Sequence, residues 1–538
     1  MLTRKQSNLS RGKRKTVCAL LAFATLAGLI AGCSKETTAP STNDHGNGTQ
    51  QTSSFSYWSI LDANASSSVT QLGEVEFYKA LEKKTGIKID FSHPPVGSED
   101  EQFNLLIASR DLPDMMEYGW LVYPGGPEKA IKDNVIIELN NLIDQHAPNI
   151  KKYLDENPEL AKQVKTDNGV LYVVPSIGTG TVNTFSGPLV RKDWLEDLGL
   201  QTPETIDEWT TMLRNFKEKK GATAPLTMLL NRKEDDIIVG AFGVNRQFYL
   251  DNGQVKFGPM EPAFKDYLSL MHNWYKEGLL DPDIGANDKK TLDAKMASGK
   301  SGAVYGFAGS SIGVYMNANK DKDPKYDLTA AQYPVLQKGD EPKFVNIADR
   351  YRMTGSVAIT TKNPDPVASI KWLDYYFTEE GNILKNFGVE GLTYTNENGY
   401  PKYTDLIMKN PEKLSIAQAM GKYLRANYPS PGFVNDDRYL EQYYQLPQQQ
   451  ESIKIWGKYE NNTVGVKMPL ISATPEESQQ LAKIMAEVNT YADEMYIRFI
   501  QGQESLDNFD KYVEQMKKMK IEEAIQLQQA AVERFNKR

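Results

Sequence analysis

The chain has 538 residues and a formal net charge of −8 at pH 7, and 40% of its residues are hydrophobic. This length and apolar content are enough for large buried cores, and they favour two or more lobes. An acidic chain lacks the clustered lysine and arginine that bind phosphate backbones, so a nucleic acid is not expected as a partner.

The N-terminus has the pattern of an export signal. Its first sixteen residues contain six lysines and arginines and no acidic residue, and an apolar run follows from Val17 to Ala31. That run is shorter than the about 20 apolar residues that a membrane-spanning helix needs, and no other segment is as long and apolar. We therefore predict that residues 1–32 are a signal peptide and that the mature protein is extracytoplasmic.

Cys33 ends the stretch Ile30-Ala31-Gly32-Cys33. This stretch resembles the lipobox of bacterial lipoproteins, whose cysteine is lipid-modified and becomes the first residue of the mature chain. The resemblance implies that Cys33 carries a lipid such as palmitate, which anchors the protein to the cell membrane. A cysteine that stands by chance at the end of a signal peptide is the alternative. The other cysteine, Cys18, lies in the predicted leader, so no disulfide is expected within the mature chain.

A flexible tether is predicted over residues 33–54, because residues 34–54 contain no large apolar side chain. A random coil of this length reaches about 25 Å. Order is expected to begin at Phe55.

Strands and helices are then predicted to alternate. The first elements are a strand in "SYWSIL" (56–61), a helix over 74–84, a strand over 87–91, a helix over 101–109 and a strand over 115–118. This β-α-β-α-β order is typical of an α/β domain with a mainly parallel sheet.

The same alternation continues to a helical C-terminus. Further strands are predicted in "NGVLYVVPS" (168–176), near 226–229, over 301–307 and in "GSVAIT" (355–360), and helices near 191–198, 204–218, 262–277, 288–297 and 365–378. Thr205 followed three residues later by Glu208 predicts a capping box. Apolar residues at three- and four-residue spacing from Leu481 to Phe499 predict a long helix.

Seven segments in register resemble the family 1 carbohydrate-binding lipoproteins, which are large extracytoplasmic solute-binding proteins of ABC importers. These segments are "ASRDLPDMME" (108–117), "NGVLYVVPS" (168–176), "LVRKDWLEDLGLQTPETIDEW" (189–209), "WYKEGLLDPD" (274–283), "SGKSGAV" (298–304), "KWLDYYFTEEG" (371–381) and "GVEGLTYT" (388–395). The chain is also similar in size to the alginate-binding members of that family. The match extends over nearly the whole mature chain.

The resemblance implies an α/β fold of two lobes, the class II type of periplasmic binding protein. Mainly parallel sheets flanked by helices, hinge strands between the lobes and extra C-terminal helices are expected. We assign residues 55–173 and 346–405 to the N-terminal lobe and residues 174–345 and 406–538 to the C-terminal lobe. Hinge strands are expected near 170–176 and 333–347, with the ligand in the cleft between the lobes.

The function that the resemblance implies is capture of a carbohydrate, in finer terms an oligosaccharide, by lobe closure. A monomeric, membrane-anchored protein would then deliver the sugar to ABC permease subunits, with no cofactor. A secreted carbohydrate-active hydrolase and a receptor that delivers its ligand to a sensor kinase are the alternatives.

A sugar-binding cleft needs flat aromatic faces for the pyranose rings and polar side chains for the hydroxyl groups. Residues at strand ends that should face the cleft are therefore the candidates, and core packing is the alternative for each of them. The candidates are Trp58, Tyr118, Trp120, Phe185, Tyr305, Phe307, Arg350 and Arg352. Four tryptophans inside helical segments are expected in the core instead: Trp194, Trp209, Trp274 and Trp372.

No metal site is predicted. Long members of the family often carry a calcium loop after the helix that ends in Glu-Trp, whereas residues 216–228 here offer one acidic side chain, and calcium takes six to eight oxygen ligands. Glycosidases need two carboxylates at a fixed separation, but the pairs Asp235-Asp236 and Asp281/Asp283 are interpreted as solvated turns.

Overall fold

The computed structural model describes residues 54–95, 97–230, 232–426 and 428–538. The predicted signal peptide, the lipidation site at Cys33 and the tether up to residue 53 lie outside the described residues. Within the described ranges, no helix combines the length and the apolar character needed to cross a bilayer.

The strands are short, and most belong to two four-stranded sheets. In chain order they are β1 (Ser54–Trp58), β2 (Lys88–Ser92), β3 (Met115–Glu117), β4 (Ser176–Gly178), β5 (Ser186–Arg191), β6 (Leu226–Thr227), β7 (Phe248–Asp251), β8 (Gln254–Phe257), β9 (Ala303–Phe307), β10 (Leu328–Ala330), β11 (Val357–Ile359), β12 (Tyr394–Glu397), β13 (Tyr400–Tyr403) and β14 (Gly432–Val434).

The helices that precede β10 in the chain are α1 (Ala63–Ser66), α2 (Glu76–Thr85), α3 (Glu99–Ser109), α4 (Gly126–Lys132), α5 (Asn140–His146), α6 (Pro148–Glu156), α7 (Pro158–Val164), α8 (Lys192–Leu198), α9 (Ile206–Lys220), α10 (Pro262–Lys276), α11 (Lys289–Ala297) and α12 (Gly313–Asn319). The later helices are α13 (Pro366–Asp374), α14 (Glu379–Phe387), α15 (Asp405–Met408), α16 (Ile416–Tyr423), α17 (Asp437–Tyr443), α18 (Pro447–Gly457), α19 (Glu460–Val464), α20 (Pro475–Ile500), α21 (Phe509–Lys518) and α22 (Ile521–Lys537).

Helix α9 shows how local sequence fixes an element. The Thr205 hydroxyl accepts a hydrogen bond from the Glu208 N–H at 3.2 Å, and the Glu208 carboxylate accepts one from the Thr205 N–H at 3.1 Å. The predicted capping box is thus confirmed. The helix ends at Gly221, whose φ of +70° suits glycine.

The strand predicted over 168–176 is wrong. That segment makes only isolated bridges, between Lys165 and Leu171 and between Val174 and Val357, and β4 begins at Ser176. Pro175 has no N–H to donate to a ladder, and Gly169 has a φ of +77°, so neither residue supports a continuous strand.

Two hydrophobic cores confirm the two-lobe α/β prediction. The first core draws on residues 55–177 and 351–384, and the second on residues 189–345 and 387–524. All four tryptophans that were expected in the core are buried there. The predicted lobe boundaries at residues 173, 345 and 405 stay predictions.

Each core lies on one sheet, and the first sheet is mainly parallel as predicted, whereas the second is mainly antiparallel. The first sheet has the order β11-β3-β1-β2, and only β11 runs antiparallel to its neighbour. The second has the order β10-β5-β9-β6, and only β6 runs parallel to its neighbour. The antiparallel direction of β5 and β9 brings the start of one and the end of the other to the same edge.

The chain passes between the two cores on extended segments and also within helix α14, whose Leu384 belongs to the first core and Phe387 to the second. Strand β4 pairs with β14 in parallel, and Ile177 of β4 bridges Tyr351. We call β4, residues 350–352 and β14 the crossing ribbon. The second predicted hinge segment, residues 333–347, is not a strand, and its Tyr333 and Val345 are buried in the second core.

Candidate functional site

Aromatic side chains gather at one edge of the second sheet. Ser186 at the start of β5 lies opposite Phe307 at the end of β9, and the Ala308 N–H donates to the Phe185 carbonyl at 2.9 Å. The rings of Tyr305 and Phe307 meet edge to face, with centroids 5.5 Å apart. Phe185 and Phe307 are half-buried, so part of each ring remains open. The structure therefore brings three of the predicted site residues together.

A hydrogen-bonded cluster lies beside these rings. The Tyr305 hydroxyl is 2.6 Å from the Ser186 hydroxyl and accepts from the Asn346 amide at 2.5 Å. The Tyr333 hydroxyl donates to the Ser186 carbonyl and accepts from the Asn346 N–H, both at 3.1 Å. Burial raises the pKa of Tyr305 well above its usual value, so its hydroxyl is neutral. These groups can donate to and accept from sugar hydroxyls.

Two charged residues that the sequence did not indicate complete this edge. After β6, the Arg232 guanidinium pairs with Asp235 at 2.9 Å and lies 5.8 Å from the centre of the Phe307 ring. The other carboxylate oxygen of Asp235 is buried without a hydrogen-bond partner. Burial raises the pKa of Asp235 to about 7, against the opposing charge of Arg232. A loop without periodicity gives no signal for such a pair.

The interpretation of the acidic pairs as solvated turns is wrong for three of the four carboxylates. Asp235 and Asp236 are 5% and 8% exposed, and Asp281 is fully buried, whereas the side chain of Asp283 is 68% exposed. Lys295 reaches Asp281 at 2.7 Å. Lys295 lies 14 residues after Asp281, so the Asp281/Asp283 pattern alone could not reveal this partner.

The polar partners of Asp236 and Asp281 keep these carboxylates satisfied inside the core. Asp236 accepts from two backbone N–H groups at 3.1 Å and from the Tyr267 hydroxyl. Although burial opposes it, hydrogen bonds from Lys295, Thr227 and Asn287 lower the pKa of Asp281. Both carboxylates therefore serve the scaffold.

A cavity of about 380 Å³ opens next to the hydrogen-bonded cluster, and Tyr333 and Asn346 line both. Its other walls are the turn at 233–236, the β7–β8 hairpin and residues 463–468. Its two lysines are neutralised, since Lys233 pairs with Asp493 at 2.9 Å and Lys467 with Asp349 at 2.8 Å. The volume is in the range of small-ligand pockets.

The three predicted residues of the first lobe lie in its core. Trp58 is 4%, Tyr118 8% and Trp120 1% exposed. Trp58 and Tyr118 pack edge to face at 5.6 Å, and Phe103 lies between Tyr118 and Trp120. This packing leaves little aromatic surface for a ligand, and their role as ligand contacts stays a prediction.

The last two predicted residues, Arg350 and Arg352, lie on the crossing ribbon. The Arg352 N–H donates to the Ser176 carbonyl and the Gly178 N–H to the Arg350 carbonyl, both at 2.8 Å. Asn346 lies only four residues before Arg350, so their Cα atoms are at most about 14 Å apart. The chain thus runs directly from the hydrogen-bonded cluster at the edge of the second sheet into the ribbon.

The loop after β3 borders the same ribbon, although it belongs to the first lobe. The Tyr118 N–H donates to the Ser356 carbonyl at 3.0 Å. A Cβ atom on Gly119 would lie 3.3 Å from the end of Met353. The loop after β3 therefore lies next to the segment that directly follows residues 350–352 of the ribbon.

Comparison with known proteins gives a matching family and several similar proteins. A family model described as "Bacterial extracellular solute-binding protein" matches residues 66–383. The fructooligosaccharide ABC transporter substrate-binding protein FusA of Streptococcus pneumoniae serotype 4 is 23% identical over 496 residues, which are 85% of this chain and 86% of FusA. The polygalacturonan/rhamnogalacturonan-binding protein YtcQ of Bacillus subtilis is 25% identical over 329 residues, which are 59% of this chain and 62% of YtcQ.

Solved structures share the fold. The crystal structure of the alginate-binding protein AlgQ2 without calcium ion superimposes with a TM-score of 0.75 and 28% identity. The alignment covers 90% of this chain and 99% of AlgQ2.

Proposed function

The chain belongs to the family of bacterial extracellular solute-binding proteins, and from this premise we propose that it captures an oligosaccharide between its lobes and delivers it to an ABC importer. As a member of that family it is a binding protein and not an enzyme, as the sequence predicted, so the hydrolase alternative is set aside. The names of FusA, YtcQ and AlgQ2 support a carbohydrate as the class of ligand.

The observation that carries the proposal is the edge of the second sheet, where aromatic rings and neutral hydrogen-bonding groups stand side by side. Phe185 and Phe307 offer partly open rings, and Tyr305 and Asn346 offer polar atoms next to them. Sugars present the same combination, since their rings have an apolar face and a rim of hydroxyl groups.

Capture is proposed to proceed by closure of the lobes about the crossing ribbon. The crossing ribbon joins the two cores through short extended segments, so a small change of backbone angles in it can move one lobe as a body. A ligand that touches both lobes stabilises the closed form by the contacts that the open form lacks. A lipid on Cys33 would hold the protein at the membrane, beside its permease.

The test is a thermal-shift screen of the protein against neutral and acidic oligosaccharides, with peptides as a comparison. We expect at least one oligosaccharide to raise the melting temperature in a dose-dependent manner, because a ligand that binds only the folded state stabilises it. A shift with peptides and none with any sugar would contradict the proposal.

Phe307→Ala locates the site. Loss of a ring that stacks on the sugar should weaken binding about 10-fold, measured by titration calorimetry. Phe535→Ala is the matched control, because Phe535 is also half-buried and has an arginine near its ring, Arg538 at 5.2 Å. Equal loss of affinity in both variants would argue against a site at the sheet edge.

A further inference from the structure

Two arginines project from one side of the crossing ribbon. Tyr351 lies between them and is 1% exposed within the first core. Since successive side chains of an extended segment point to opposite sides, Arg350 and Arg352 leave the ribbon on the side opposite to Tyr351. Arg350 is exposed and Arg352 is half-buried.

Both guanidinium groups lie beside Gly178. The Arg350 Nε donates to the Gly178 carbonyl at 3.5 Å, and its Nη2 is 3.4 Å from the Tyr153 hydroxyl. A Cβ atom on Gly178 would lie only 3.0 Å from the Arg352 Nη2. Because Gly178 has no side chain, the Arg352 guanidinium can occupy the space beside it.

Neither cation has a carboxylate partner among the residues that the structure describes. Among the described arginines, every one except Arg110, Arg350 and Arg352 has a carboxylate within 4.0 Å. Asp349 is the acidic neighbour of Arg352, but Lys467 holds its carboxylate at 2.8 Å. Arg110 is an exposed surface residue far from the ribbon in sequence.

A half-buried guanidinium without a counter-ion is costly for the folded protein. Burial lowers the pKa of Arg352, which reflects the loss of hydration of its charge. A bound carboxylate would compensate this loss with two parallel charge-assisted hydrogen bonds. The planar fork of arginine fits a carboxylate better than the ammonium group of lysine does.

We infer that the ligand is an acidic oligosaccharide, built of uronic acid units, whose carboxylates bind Arg350 and Arg352. The inference rests on the proposed function and adds the charge of the sugar to it. The neighbouring edge of the second sheet supplies the aromatic and hydroxyl contacts, and the ribbon supplies the positive charge. Among the similar proteins, YtcQ is named for polygalacturonan and rhamnogalacturonan and AlgQ2 for alginate, whereas FusA is named for fructooligosaccharides.

The experiment is titration calorimetry of the full chain with matched sugars. One titration series uses galacturonate oligomers and a second uses mannuronate oligomers. Both carry carboxylates, so comparing them shows which of the two sugars the protein prefers. The control for each is the same oligomer with its carboxyl groups reduced to alcohols, so that only the charge differs. We expect the acidic oligomer of at least one pair to bind at least 10-fold more tightly than its reduced form, and binding to weaken as salt is raised.

Variants assign the effect to the ribbon. Arg352→Gln and Arg350→Gln should each weaken binding of the acidic sugar about 10-fold or more, and Arg352→Lys should recover only part of the loss. Arg110→Gln removes an arginine that likewise has no carboxylate partner, and it should leave affinity unchanged. Melting temperatures without ligand show whether each variant folds.

The outcomes separate this inference from the proposed function. Binding of neutral sugars with equal or greater affinity than their acidic partners would overturn the inference and leave carbohydrate capture intact. Binding of no sugar of either class would overturn the proposed function itself. An acidic sugar whose affinity is the same in Arg350→Gln, Arg352→Gln and the parent protein would show that the carboxylates bind elsewhere.

Discussion

At the scale of single residues, the carboxyl group of Asp235 is held in an unusual state. It pairs with Arg232 through one oxygen, and its other oxygen is buried without a partner. Burial dominates, and the pKa of Asp235 rises to about 7. The carboxyl group beside the proposed site therefore changes charge near neutral pH.

Asp235→Asn should change how stability depends on pH. The folded pKa of about 7 lies above the roughly 3.9 of an unfolded aspartate, so between these values the folded protein keeps a proton that the unfolded chain has lost. The parent protein therefore loses stability as pH rises through this window, by up to about 4 kcal/mol. Asparagine does not titrate, so the variant should lack this part of the slope.

The measurement is urea unfolding of parent and variant from pH 4.5 to 8. Asp155→Asn is the control, since the Asp155 side chain is 67% exposed. Parallel pH profiles for the parent protein and Asp235→Asn would contradict the prediction.

At the scale of elements, the sequence predicted what local chemistry determines. Apolar periodicity located the long helix α20, the capping box located the start of α9, and alternation located β2. It did not locate β14, whose three residues form a strand only because β4 lies beside them.

For the site, Tyr305 and Phe307 could be predicted, because they end an apolar strand. Arg232 and Asn346 could not, because the rings beside them, Phe307 and Tyr305, come from other parts of the chain.

Thr205→Ala tests the capping box of α9. The variant leaves the Glu208 N–H without its acceptor, so the free energy of unfolding should fall by about 0.5–2 kcal/mol. Thr211→Ala in the same helix is exposed and should be neutral or slightly stabilising, because alanine has the higher helix propensity. Chemical denaturation gives both values, and a loss as large for Thr211→Ala would contradict the explanation.

At the scale of the whole molecule, helix α22 ties the two cores together. Its first turn contributes Ile521 and Ala524 to the second core. Near its end, Arg534 and Arg538 bind Asp167, at 2.6 Å and 2.9 Å, in a segment flanked by first-core residues. The C-terminal helix is therefore a strut between lobes as well as part of a core.

Asp167→Asn should weaken this connection between helix α22 and the first lobe. Removing one carboxylate that two arginines share should lower the free energy of unfolding by about 1–2 kcal/mol and speed amide exchange in the last turns of α22. Asp144→Asn breaks an exposed pair with Lys151 and should cost less than about 0.5 kcal/mol. Unchanged exchange near Arg534 in Asp167→Asn would show that packing alone holds the helix.

The first core has a consequence for the order in which the protein is made. Its edge strand β11 pairs with β3, Ala358 opposite Met116, although the whole second sheet lies between them in the sequence. While the ribosome is still producing that sheet, the apolar edge at Met115 and Met116 has no native neighbour and is open to wrong pairing. The lobe that begins the chain thus completes its sheet late, and a chain that is kept unfolded until synthesis is nearly finished avoids that exposure.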